Sequence, residues 1–202
     1  MVGSISIELV SSILEDCGYL IADHSFMPCR TPTFSPVPPR LHPYLAETMR
    51  RLYPAGLYTH QVRSIESILD GEDVCLATST ASGKSLVFMV AAIEQLLRDR
   101  SSRILALYPV RALIQDQLDK WRNILQPFEI ALGYIDGGVP IEGRNRILAT
   151  SRVMLMTPDV THAWMMSNMG DSAIRRFLQQ VQILILDESH VYDGVFGTNM
   201  AY

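Results

Sequence analysis

From Thr59 onward, short apolar runs alternate with segments of helical composition, and this alternation is the strongest constraint on the fold. The spacing predicts strands over 73–78, 103–108, 130–135, 153–157 and 182–186. It predicts helices over 59–69, 84–98, 111–125, 141–149, 158–167 and 172–180. Strands separated by helices pair in parallel, because the chain must cross back over the sheet before it can lay down the next strand. The fold class is therefore α/β, a parallel sheet covered by helices on both faces. Ile183–Leu186, four branched aliphatics in a row, reads as a strand buried on both sides.

The first part of the chain is different. Ile5, Leu9, Val10, Ile13 and Leu14 recur at near-helical spacing, which predicts a helix over 4–16 ending at Gly18. Pro28, Pro32, Pro36, Pro38, Pro39 and Pro43 then exclude helix and central strand. That stretch reads either as an extended segment on the surface or as a flexible linker. Residues 43–53 look helical, stopped by Pro54 and Gly56. The expected organisation is an N-terminal extension, 1–42, and the α/β domain, 43–202.

Composition bounds the setting. With 48% hydrophobic and 19% charged residues, the 202-residue chain is globular. A net charge of −4 leaves no whole-chain footprint for nucleic acid, so any such contact must come from a local face or a partner domain. Cys17, Cys29 and Cys75 show no metal-ligand spacing and suit free thiols in a reducing compartment. Residues 1–20 hold Glu8, Glu15 and Asp16 but no Lys or Arg, which speaks against a secretory signal, and no apolar run reaches membrane-spanning length. The expectation is a cytoplasmic protein with no membrane partner.

Two motifs carry the chemistry. Between the apolar run 73–78 and the helix from Lys84 lies Ser79-Thr80-Ala81-Ser82-Gly83-Lys84-Ser85. A strand turning sharply into a helix aims several backbone N–H groups at one point, and the helix N-terminus adds partial positive charge there. Thr80, Ala81, Ser82 and Gly83 would cradle phosphates, Lys84 would meet the β- and γ-phosphates, and the Ser85 hydroxyl would ligate Mg²⁺. Thr78 stands where the strict loop has Gly. About a hundred residues on, Asp187 and Glu188 follow the Ile183–Leu186 run. Asp187 would hold Mg²⁺, and Glu188 would orient and deprotonate the attacking water. ATP and Mg²⁺ are the implied cofactors.

The order and content of these motifs resemble the first RecA-like lobe of superfamily 2 DExH-box helicases, from about Pro38 to the end. The resemblance implies that Gln61, in Leu57-Tyr58-Thr59-His60-Gln61, reads adenine, while Tyr58 is left as a core residue. It makes Tyr108-Pro109-Val110-Arg111-Ala112-Leu113 a motif Ia, in which Pro109 and Arg111 meet the strand backbone, although Val110 replaces the usual Thr. It makes Thr157-Pro158-Asp159 a motif Ib, with Thr157 and Pro158 at another phosphate. Arg111 could instead pair with Asp116 or solvent, Thr157 could be a plain N-cap, and Asp136-Gly137-Gly138 would either bring its backbone close to nucleic acid or merely turn, the turn being favoured. His190 would couple nucleotide state to the nucleic-acid site or cap its turn.

YTHQ, TASGKS, YPVRALIQDQL and the GVFG element at 194–197 are most similar to the RecQ-related mitomycin-repair branch. That resemblance implies 3′-to-5′ translocation on single-stranded or partly duplex DNA in repair. Nothing in the chain resembles motif III or a second lobe, and in the family that lobe supplies arginine fingers worth about 10³–10⁵ in rate. Motif III normally lies between the strands that carry Lys84 and Asp187. The chain is therefore expected to be a piece of a longer enzyme, inactive or weakly active alone, with a gap in its sheet at that point. A non-catalytic nucleotide-binding module, an RNA helicase or a duplex-DNA translocase would share the same residues.

Overall fold

The computed structural model describes residues 12, 15–18, 32–77 and 82–191. The chain divides into two compact units, Met1–Pro32 and Thr33–Tyr202. In the first, Ser12, Glu15 and Asp16 are helical. The turn closes where Gly18, at φ 81°, donates its N–H to the Glu15 carbonyl. The rest of the predicted 4–16 helix lies outside the described residues.

The second unit opens with a short antiparallel ribbon, β1 (Phe34–Ser35) against β2 (Leu57–Tyr58). Helix α1 (Pro43–Leu52) lies between them, and α2 (Thr59–Leu69) follows at once. The proline-rich segment is extended, but Val37, Pro38 and Leu41 are buried rather than lying on the surface. Helix α1 begins at His42, whose side chain makes no cap. Its start is held instead by Glu94, fully buried, which accepts the His42 N–H at 2.7 Å. Arg98 Nε donates to the other Glu94 oxygen at 2.5 Å, so the buried charge is paired.

Then come α3 (Lys84–Arg98), β3 (Arg103–Leu107), α4 (Arg111–Leu125), β4 (Leu132–Ile135), α5 (Ile141–Thr150) and β5 (Val153–Met156). A short helix α6 (Pro158–Val160) runs on into a π turn, Thr161–Met165, so the predicted helix over 158–167 is present but irregular. Helix α7 (Ser172–Gln180) leads into β6 (Val181–Leu186). The four strands pair in parallel in the order β4-β5-β3-β6. Because side chains alternate across a strand, Ile104, Ala106, Val153, Leu155 and Ile185 face one core with residues of α1–α4. Leu105, Leu107, Met154 and Met156 face a second core with Leu148, Ile174 and Phe177.

Two expectations need correction. The predicted strand over 73–78 is absent: residues 73–77 form neither helix nor strand, and Thr78 lies outside the described residues. A strand exists only where a neighbour takes its hydrogen bonds. Among the described residues no strand pairs with the 73–77 run, and the free edge of β6 has no strand partner. Second, β6 is not buried on both faces. Ile185 is buried, but Leu184 is 54% and Leu186 47% exposed. Four aliphatics in a row report local composition, whereas burial depends on which helices arrive above.

Asp171 caps α7, accepting from the N–H groups of Ala173 at 2.7 Å and Ile174 at 3.5 Å, and from Asn145 on α5 at 2.8 Å. The Asn145 bond first, then the Ala173 N–H, hold its carboxyl below the ordinary value of 3.8. A depressed carboxylate stabilises the fold above the unfolded-state pKa and loses that contribution as pH falls through the folded value. We predict that Asp171→Ala lowers the thermal unfolding midpoint at neutral pH. Its deficit should shrink as the pH drops below 3.8, read by melting curves across pH.

Candidate nucleotide and nucleic-acid sites

The loop before α3 ends at Gly83, whose φ of 77° lies in the left-handed region. The first turn of α2 reaches across to hold it. Gln61 Nε2 donates to the Gly83 carbonyl at 3.0 Å, and a His60 ring nitrogen lies 3.1 Å from the Ser82 carbonyl. The Gln61 Oε1 accepts the Tyr58 N–H at 3.0 Å, so this amide, 3% exposed, bridges α2 and the loop. A primary amide has two N–H groups and two lone pairs on its oxygen. One of each is committed here, which leaves one of each for a ligand. A Cβ on Gly83 would lie 2.4 Å from Gln61 Nε2, so both the backbone angle and the packing demand glycine.

Two cavities flank this clamp. One, about 240 Å³, is lined by Phe34, Tyr53, Leu57, Tyr58, Gln61 and Gly83, among others. Tyr58 is half-buried rather than a core residue, stacked between Phe34 at 5.1 Å and His60 at 5.6 Å. Phe34, Tyr53 and His60 were not singled out from sequence. Phe34 and Tyr53 arrive from elements whose approach only the fold reveals, whereas His60 adjoins Gln61 and could have been found there.

The second cavity, about 380 Å³, is lined by Ser82, Gly83, Lys84, Ser85, Gln117, Lys120, Asp187 and Glu188. The two motifs a hundred residues apart thus share one wall; Thr80 and Ala81 lie outside the described residues. Asp187 sits just beyond β6, its N–H bonded to the Leu107 carbonyl at 3.1 Å. Burial pushes its carboxyl above the ordinary value. The Glu188 N–H, at 3.0 Å, and the charges of Lys84 and Lys120 oppose that, while the Glu188 charge adds to it. Glu188 has a φ of 50°, uncommon outside glycine, which turns the chain sharply after the strand. His190 Nδ1 lies 3.3 Å from Glu188 Oε2 on an exposed turn. A Ser85 hydroxyl and an Asp187 carboxylate are the hard oxygen donors that Mg²⁺ takes alongside phosphate, so the residues fit that ion.

At the ends of β3 and β5 stand the other predicted residues. Pro109, Thr157 and Pro158 are buried, and Thr157 is the N-cap of α6, with its carbonyl accepting the Thr161 hydroxyl at 3.0 Å. Arg111, the first residue of α4, is exposed. It pairs not with Asp116 but with Asp136, Nε to Oδ2 at 2.8 Å. Asp136 closes its turn by accepting the Gly138 N–H at 2.8 Å. The Arg111 guanidinium packs over Gly138, where a Cβ would lie 3.1 Å from it.

Residues 58–202 match the family described as DEAD/DEAH box helicase. The chain belongs to the DEAD/DEAH box helicases. It is 33% identical over 183 residues to the ATP-dependent helicase HRQ1 of Saccharomyces cerevisiae, covering 88% of this chain and 16% of that protein. It is 37% identical over 153 residues to the uncharacterized ATP-dependent helicase MJ1574 of Methanocaldococcus jannaschii, covering 72% of this chain and 22% of that one. The chain thus spans between 16% and 22% of the length of these two relatives. Its fold matches the crystal structure of the DUF1998 helicase MrfA bound to DNA and AMPPNP, with a TM-score of 0.81 at 24% identity over 93% of this chain and 27% of that one. Among the described residues no helix is long and apolar enough to cross a membrane.

The clamp on Gly83 yields a non-additive prediction. Gly83→Ala should lower the unfolding midpoint, with about 1–2 kcal/mol from the left-handed angle alone. In a Gln61→Ser background the same change should cost less, because the amide that meets the new methyl is gone. Thermal unfolding of the four-member mutant cycle measures the difference.

Proposed function

We propose that this chain is the ATP-binding, RecA-like lobe of an ATP-dependent DNA helicase. In this reading the lobe takes in the second compact unit, Thr33–Tyr202, rather than 43–202, because β1 and the buried Val37 and Leu41 are part of that unit. The observation that carries the reading is the shared cavity in which Gly83, Lys84 and Ser85 face Asp187 and Glu188. In this reading the adenine enters the neighbouring cavity, where Gln61 offers its remaining N–H and lone pair and Phe34 and Tyr53 offer apolar surface. The triphosphate extends past Gly83, whose missing side chain allows close approach. Thr80, Ala81, Ser82 and the first N–H groups of α3 hold its oxygens, and Lys84 neutralises charge on the β- and γ-phosphates.

Ser85 and Asp187 would hold Mg²⁺, which screens the phosphate charge when bound. Its positive charge would also remove the cost of ionising Asp187 in its half-buried position. Glu188 accepts the proton of the water that attacks the γ-phosphate, and His190, 3.3 Å from Glu188, sits where it can transmit that state to the DNA side. Among the described residues no arginine lines the cavity, so in this reading a second RecA-like lobe would complete the transition state, and the lobe alone turns over slowly or not at all.

DNA, single-stranded or partly duplex, would run across the ends of β3 and β5. Arg111 meets a phosphate there, and the backbone at Pro109, Thr157 and Pro158 supplies further contacts. DNA is favoured over RNA because MrfA, whose fold this chain matches, is a helicase crystallised with DNA. Action 3′ to 5′, in repair and in the cytoplasm, completes the reading.

Binding and turnover test it separately. Lys84→Ala should weaken Mg-ATP binding at least about tenfold, the worth of one charge-assisted phosphate contact. Glu188→Gln should leave that binding intact and remove whatever hydrolysis the chain shows with single-stranded DNA. Equal nucleotide affinity for wild type and Lys84→Ala would refute the assignment. For DNA, Arg111→Ala should weaken binding to all sequences alike and flatten the salt dependence by about one counterion, seen in titrations at several salt concentrations.

A further inference from the structure

The nucleotide cavity has a wall that neither motif predicts. Gln117 and Lys120 line it from α4, three residues apart and so on one face of that helix. Gln117 is only 8% exposed, and its Oε1 is buried with no hydrogen-bond partner. A buried amide oxygen left unpaired costs about 1–3 kcal/mol, which a native site keeps only where a ligand or water completes it. Lys120 is exposed, and its charge is felt at Asp187. On the cavity wall the two lysines, Lys84 and Lys120, balance the two carboxylates, Asp187 and Glu188. Without Lys120 that wall would be net negative where a triphosphate must enter.

We propose that Gln117 and Lys120 of α4 form a sensor for the terminal phosphate of the bound nucleotide, Lys120 donating to the γ-phosphate and Gln117 Oε1 accepting from a water held between that phosphate and Glu188. This rests on the nucleotide site proposed above and adds its discrimination between triphosphate and diphosphate. The pair lines the same cavity as Lys84, Asp187 and Glu188, so a γ-phosphate bound there would meet it, whereas a diphosphate would leave solvent in that place. An unpaired acceptor suits a water and not a phosphate oxygen, since two acceptors repel.

The test is equilibrium binding of Mg-AMPPNP and Mg-ADP to the 202-residue chain, wild type beside Lys84→Ala, Lys120→Met, Lys120→Arg and Gln117→Leu. Lys120→Met should weaken AMPPNP about tenfold and ADP less than twofold, the loss of one charged contact to the third phosphate. Lys120→Arg should restore the preference. Gln117→Leu should also lower the AMPPNP-to-ADP affinity ratio, with thermal unfolding run alongside to confirm the fold. Lys120 is exposed, so its replacement leaves the core intact and keeps the test decisive if Gln117→Leu fails to fold. If wild type binds and Lys84→Ala does not, but Lys120→Met keeps the wild-type ratio, the α4 sensor is overturned while the nucleotide site stands. If wild type binds neither nucleotide, both fall together.

Discussion

The hydrogen bond from Gln61 to the Gly83 carbonyl is the contact on which both cavities depend. It fixes the left-handed residue that turns the loop into α3, and so sets where the first N–H groups of that helix point. The same amide, anchored to the Tyr58 N–H, forms part of the wall of the first cavity, while Gly83 lines both. The elements proposed to read the base and the phosphates are therefore joined through one buried side chain. Hydrogen bonds inside a low-dielectric wall are costly to leave unmade, so the amide and the loop hold each other in place. His60 adds a second tie to the neighbouring Ser82 carbonyl.

Helix α4 links the other two regions. Arg111 opens it beside Asp136 at the ends of the strands, and Gln117 and Lys120 lie further along it at the nucleotide cavity. At 1.5 Å per residue, Arg111 and Lys120 are about 14 Å apart along the axis. Trp121, fully buried on the same helix, donates its indole N–H to the Tyr108 hydroxyl at 2.9 Å, which ties the helix back to the end of β3. The sheet beneath is less uniform. Its centre, β3 and β5, is packed on both faces, while β6 keeps one edge without a strand partner among the described residues and exposes Leu184 and Leu186. Asp187 and Glu188 stand at the end of that less covered strand.

Much of this was legible beforehand. The helices at 59–69, 84–98, 111–125 and 172–180, and the parallel strands near 103, 153 and 182, follow from apolar periodicity, which local composition encodes directly. The joining of Lys84 to Asp187 was inferred from motif order, and the shared cavity agrees with it. The strand over 73–78 failed because strand formation is a pairwise property: an apolar run without a neighbour has nowhere to place its backbone hydrogen bonds. Arg111 was given the wrong alternative partner, Asp116, because Asp136 comes close only through the turn after β4.

Sequence alone determined the kinds of chemistry present: a glycine-lysine-serine turn into a helix, an acidic pair after an aliphatic run, and an amide ahead of both. Those are local facts, set by residue type and by spacing within a few turns of chain. Tertiary structure alone decided which of them meet. It brought Gln61 to Gly83 across 22 residues and placed Gln117 and Lys120 on the wall of the second cavity. It also left the Gln117 oxygen buried without a partner. Such encounters depend on how helices pack over a twisted sheet, a long-range geometry that no single stretch of sequence contains.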